Sequence, residues 1–167
     1  MLGFFILENQ VIVLEPMTET EFRLYRQRLI REYAVEKVRA GNWSAEESLS
    51  RSEQEIDQLL PDGLRTKEHN LFSIRDTGLS ENLGILWFAV VHWSSKPSAF
   101  VYDIEIEEAL RGKGYGTQAL MALEEQVKLL GIDTIRLNVF GFNHAARALY
   151  AKLGYEITYI NMAKKLA

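Results

Sequence analysis

Residues 99–116 join a strand-like run, Ala99 to Ile106, to a helical pattern through Arg111-Gly112-Lys113-Gly114-Tyr115-Gly116, and this junction restricts the folds open to the chain most. Three glycines at alternate positions let the backbone turn tightly and leave several N–H groups pointing outward at a helix N-terminus. That geometry suits an anion, and the partial positive charge of the helix end reinforces it by up to about 1 kcal/mol per charge. Beyond the loop, Leu120, Leu123, Val127 and Leu130 fall on one helical face before Gly131, and Ile135, Leu137 and Val139 then alternate as a strand. Strand, helix and strand over about 40 residues form a βαβ unit, so its two strands are expected to be parallel neighbours joined by a right-handed crossover.

The other segments divide by the same rules. Val11 to Leu14 reads as a short strand ended by Pro16. From Glu19 to Ala40, Phe22, Tyr25, Leu29 and Tyr33 form one apolar stripe, with Gly41 placed to close the helix. Ser44 and Glu47 carry the spacing of a capping box for a second helix, whose inward positions are Leu49, Ile56, Leu59 and Leu60 before Pro61 and Gly63. Leu71 to Arg75 and Leu83 to Trp93 read as antiparallel strands around a Thr77-Gly78 turn, and residues 94–98 as a loop. Asn143 caps a last helix with Ala146, Leu149 and Leu153 inward, and Tyr155 to Lys164 supplies a final strand.

The 167 residues fit one domain over 1–167, with residues 1–10 an additional edge strand or arm; Leu2 to Leu7 is apolar but lacks the basic flank and length of a signal peptide. A net charge of −4 removes the broad attraction to phosphate backbones, which disfavours nucleic acid as a partner, and nothing reads as a membrane segment. Cysteine is absent, which excludes disulfides and a thiol nucleophile and fits the cytoplasm. His69, His92 and His144 lack metal-ligand spacing, so no metal is expected. The glycine run is not a dinucleotide fingerprint, which needs glycine where Thr117 stands, nor a Walker loop, which needs four residues between its first glycine and Gly-Lys.

Two segments carry a resemblance. Arg111 to Gly116 resembles the Arg/Gln-x-x-Gly-x-Gly/Ala signature of the GNAT superfamily of acetyl-coenzyme A-dependent N-acetyltransferases, and Asn143 to Tyr155 resembles that family's Asn-x-x-Ala-x-x-Leu-Tyr-x-x-x-Gly-Phe/Tyr segment. The resemblance implies an α+β fold: a mixed, mostly antiparallel sheet with a parallel, splayed central pair, flanked by about four helices. Many members carry two strands after the position of Gly154, whereas 13 residues remain here, enough for one bent strand.

The resemblance also implies roles. Backbone N–H groups of Gly112, Lys113, Gly114, Tyr115, Gly116 and Thr117 would hold the pyrophosphate of acetyl-CoA, with charge added by Arg111 and Lys113. Ile104 and Ile106 would offer backbone groups to the pantetheine arm where the ladder breaks, Asn143 would touch the coenzyme, and Tyr150 would donate a proton to the departing thiolate. The strand itself places Asp103 and Glu105 on one face and Tyr102, Ile104 and Ile106 on the other. Glu105 or Asp103 would take the amine's proton, directly or through water, and Glu105 is preferred because it lies nearer the glycine loop. The expected activity is transfer of an acetyl group to a primary amine of a small molecule or peptide. The first two helices would frame the acceptor side, and a homodimer is compatible with the family. An acyl-CoA binding or sensing module without catalysis is the alternative reading.

Overall fold

A computed structural model describes residues 12–78, 81–93 and 95–166. The proposed edge strand or arm at residues 1–10 lies outside them. Five strands, β1 (Ile12–Pro16), β2 (His69–Asp76), β3 (Asn82–Val91), β4 (Ser98–Ile106) and β5 (Ile135–Leu137), form one sheet in chain order. The first four pair antiparallel and β4 pairs β5 in parallel, so the expected mixed sheet is present. Helices α1 (Glu19–Arg39) and α2 (Ala45–Leu59) cover one face, while α3 (Tyr115–Leu129) and α4 (His144–Lys152) lie against the other.

Each face has its own core. On the α3 side Ile74, Leu86, Phe88 and Val101 of the sheet meet Leu120, Leu123 and Val127. On the α1 side Leu71, Ile85 and Trp87 meet Phe22, Tyr25 and Ile30 of α1 and Ile56 of α2. The central strand β3 is buried along nearly its whole length, as a strand covered on both faces must be.

Helix α1 starts with a capping box that joins Thr18 and Glu21, and the Glu21 carboxylate also accepts from Ser73 and pairs with Arg75 on β2, tying the helix start to the sheet. Its buried residues are Phe22, Tyr25, Ile30 and Ala34; Leu29 and Tyr33 are half-buried at the edge of that stripe. Helix α2 packs on α1 through small residues: Ser52 is fully buried and its hydroxyl donates to the Ile30 carbonyl. Arg26 bridges to Asp57 and Glu53 across the same contact.

Several expectations need correction. Ser44 occupies the cap position of α2, but its side chain makes no capping bond, and Glu47 is turned toward Arg51. Leu49 is exposed because Ser48, Ser52 and Ile56 take the face toward α1, and Leu130 is exposed because α3 has ended at Leu129. Strand β5 stops at Leu137, before Val139. Tyr155 to Lys164 forms no strand: it has no ladder partner among the described residues, and a strand is defined by its pairing rather than by propensity.

Candidate active site

The register of β4 explains the placement of its carboxylates. Trp87 pairs with Asp103 and the next residue, Phe88, with Val101, so Tyr102 is an additional residue in β4, a β-bulge. The bulge breaks the alternation. Tyr102 therefore stacks on Trp87, ring centroids 4.6 Å apart, on the α1 side, and does not share a face with Ile104 and Ile106 as the unbroken period implied. Asp103 and Glu105 also point to the α1 side, while Ile104 and Ile106 join the core toward α3. On its other edge β4 pairs with β5 only at Ala99, Phe100 and Val101. Past the bulge the two parallel strands part, and the stretch holding Ile104 and Ile106 runs on without a strand partner on that side among the described residues.

Helix α1 holds both carboxylates. The Tyr25 hydroxyl donates to the Asp103 carboxylate at 2.8 Å, and Arg28, one turn further on, pairs with Glu105. Burial raises the Asp103 carboxyl to about 7; the Tyr25 hydrogen bond opposes this and the nearby Glu105 charge adds to it. Glu105 is also reached at 3.2 Å by Arg111, whose Nε donates to the Ile106 carbonyl at 2.9 Å. Arg111 is thus turned back onto the strand end, and its side chain connects the glycine loop to Glu105. Glu32 and Glu36 of α1 are raised above the usual carboxylate range by burial, with like charges, Glu105 among them, adding to it. Tyr25 and Arg28 were not singled out from the sequence as site residues. Tyr25 looked like a core position of an amphipathic stripe, and only the tertiary contact reveals its second role.

The glycine loop is built as the sequence suggested. Gly112 and Gly114 have φ of 75° and 86°, the left-handed region, and a side chain at either would project into open space. Gly114 is the N-cap residue of α3, with no side-chain capping bond, and the helix's first backbone bond runs from Gln118 to its carbonyl at 3.2 Å. Among the described residues the N–H groups of Gly112, Lys113, Gly114, Tyr115, Gly116 and Thr117 have no backbone or side-chain partner. Gly116 serves packing instead: a Cβ there would lie 3.1 Å from Leu149, so its absence lets α4 approach the start of α3.

On α4, the Asn143 side-chain oxygen accepts from the Ala146 N–H at 3.2 Å, which makes it the cap and leaves its amide N–H groups for another partner. Tyr150 is half-buried against the α3-side core, with Tyr155 at a centroid distance of 5.5 Å. Burial and then the Asp103 charge raise the Tyr150 phenol to about 12. The influence of Asp103 on Tyr150 means that strand and helix bring these two groups to one region, although 47 positions separate them. His69 accepts from the Trp87 indole at 3.0 Å and stacks on Tyr102, a packing role, and His92 contacts Glu68. Among the described residues no group of three His, Asp or Glu side chains is placed to hold a metal.

Comparison with known proteins shows the family and the fold. Residues 30–155 match the family described as Acetyltransferase (GNAT) family. An uncharacterized N-acetyltransferase of Bacillus subtilis, YycN, is 41% identical over 93% of this chain and 99% of its own, and a second from that organism, YdgE, is 36% identical over 92% and 97%. The crystal structure of the putative acetyltransferase YycN superposes with a TM-score of 0.88, covering 93% of this chain and 99% of that one. A complex of AAC(6')-Iy with the bisubstrate analog CoA-S-monomethyl-acetylneamine shares the fold alone, with a TM-score of 0.60 at 16% identity over 93% and 98% of the two chains. The profile match and the two relatives, which align with nearly the whole chain, make it a member of the acetyltransferase (GNAT) family, an acyltransferase.

Proposed function

We propose that this protein moves an acetyl group directly from acetyl-CoA to a primary amine of a small molecule or peptide. The observation that carries the reading is the run of unpaired amides from Gly112 to Thr117 at the start of α3, linked through Arg111 and Glu105 to the strand that carries Asp103. Those amides would hold the pyrophosphate, with Lys113 adding charge; the parted stretch around Ile104 and Ile106 would pair with the pantetheine arm, and the Asn143 amide would add a contact. Acetyl-CoA supplies the acetyl group as a thioester.

The residues divide the proton work. A lysine-like amine must lose its proton before attack, at about 4.6 kcal/mol at pH 7. Asp103, poised near 7, matches that task better than an ordinary carboxylate, while Glu105 is engaged by Arg28 and Arg111. We therefore assign proton acceptance to Asp103, directly or through water, and the holding of the two arginines to Glu105. As the nitrogen–carbon bond forms and the carbon–sulfur bond breaks, Tyr150 donates a hydrogen bond to the thiolate. Complete transfer from a phenol near 12 to a thiolate near 8.5 is uphill by about 5 kcal/mol, so the bond itself carries the effect. The absence of cysteine is consistent with work in the cytoplasm, and no described helix is long and apolar enough to cross a membrane.

The test combines calorimetry with acetyl-CoA and thiol release across an amine panel. Binding together with amine-dependent release is expected; binding without release at any amine would instead indicate a sensing module, and no binding would remove the loop from its role. Gly114→Val should abolish binding.

A further inference from the structure

The bulge that brings Asp103 into the site has to be held in place. Tyr102 and Asp103 are consecutive, yet both side chains lie on the α1 side, because Trp87 pairs with Asp103 and Phe88 with Val101. If Tyr102 took a ladder place of its own, strict alternation would return and one of the two side chains would turn into the apolar core against α3. Two sets of contacts oppose this. The Tyr25 hydroxyl holds Asp103. Tyr102 is held by rings from two other strands: Trp87 of β3, with centroids 4.6 Å apart and planes at 20°, and His69 of β2, at 5.6 Å and 25°. Phe100 meets it edge to face at 4.9 Å. Trp87 is fully buried, so its indole N–H needs an acceptor, and His69 Nδ1 supplies one at 3.0 Å. That bond fixes the indole plane on which Tyr102 rests, and it requires Nδ1 to be free of a proton. Burial favours this by lowering the imidazole below its ordinary value, against the charge of Glu68.

We infer that His69 and Tyr102 are positioning residues: through Trp87 they lock the β4 bulge and so keep Asp103 turned toward α1, a role in catalysis that rests on the assignment of Asp103 as proton acceptor made above. Neither residue acts on the amine itself. His69 fixes Trp87, Trp87 and His69 fix Tyr102, and Tyr102 fixes the register in which the next residue is a carboxylate on the α1 side.

NMR spectra of the Asp103 carboxyl carbon, followed over pH, test the lock without any substrate. The carboxyl is faced by Tyr25, Arg28 and Glu36 of α1, by Glu105 of its own strand and by Tyr150 of α4, all of which the variants retain. Tyr102→Leu should move the titration midpoint by about one unit or more, and Tyr102→Phe, which keeps the ring, by less than about 0.3 of a unit. His69→Leu should also move it, because the indole loses its acceptor, while His69→Asn, whose Oδ1 takes the place of Nδ1, should restore it. This second pair carries the test if Tyr102→Leu does not fold. In thiol release, Tyr102→Leu should lower kcat by about 10- to 100-fold with the acetyl-CoA dissociation constant within about twofold. A midpoint that stays in place in both leucine variants overturns the lock, as does a Trp87 indole N–H that exchanges freely with water in the natural chain. A moved midpoint with undiminished thiol release would uphold the lock and remove Asp103 from the proton step instead.

Discussion

At the scale of single residues, the raised carboxyl of Asp103 carries a pH dependence of its own. Its folded value of about 7 lies above the ordinary 3.8, so between about pH 4 and 7 the folded chain keeps a proton that the unfolded chain has lost. Its contribution to stability therefore falls as pH rises through that window and is level above it. Asp103→Asn should flatten this slope in denaturant titrations, raise stability at pH 8 by up to about 4 kcal/mol, and remove the rising limb of kcat/KM near pH 7. Unchanged activity would take the proton acceptor away from Asp103. Tyr150→Phe should lower kcat by about 10- to 100-fold while the acetyl-CoA dissociation constant from calorimetry stays within about twofold. The turn of the glycine loop and the Asn143 cap of α4 were legible because short-range spacing encodes them. The partners of the carboxylates were not: Tyr25 and Arg28 reach β4 across 78 and 77 positions, and no local pattern in either segment announces the match.

At the scale of elements, the strands and helices followed from hydrophobic period and from glycine and proline boundaries, while the bulge did not. A single additional residue at Tyr102 leaves no trace in composition, since tyrosine and aspartate are both plausible on either face of a half-covered strand, yet it decides which side the aromatic ring takes. The final strand failed for a related reason, because propensity describes a segment and pairing describes two. Opposite the site, Gly84 allows β3 to pass close to β4: a Cβ there would lie 1.9 Å from the Glu105 carbonyl oxygen. Gly84→Ala should cost about 2–3 kcal/mol in chemical denaturation and depress kcat/KM by displacing the strand that carries both carboxylates. A neutral result would mean that the strands separate there at no cost.

At the scale of the whole molecule, the sheet divides its labour by face. The α3 side gathers the loop amides and Tyr150, the α1 side gathers the carboxylates, and β4 joins them where it parts from β5. A ligand gripped by the loop should stabilise the entire fold: acetyl-CoA at about 100 times its dissociation constant should add about 2.7 kcal/mol, seen as a rise in Tm of roughly 5–11 °C. The Gly114→Val protein should show no such rise. The tether from α1 to β4 has one more consequence. If α1 frames the incoming amine, then the helix that would be exchanged to redirect substrate choice is the same helix that anchors Asp103 and Glu105. A chimera carrying a foreign first helix would need a tyrosine and an arginine three positions apart at the same depth, so acceptor preference in this scaffold is easier to retune from α2 than by transplanting α1.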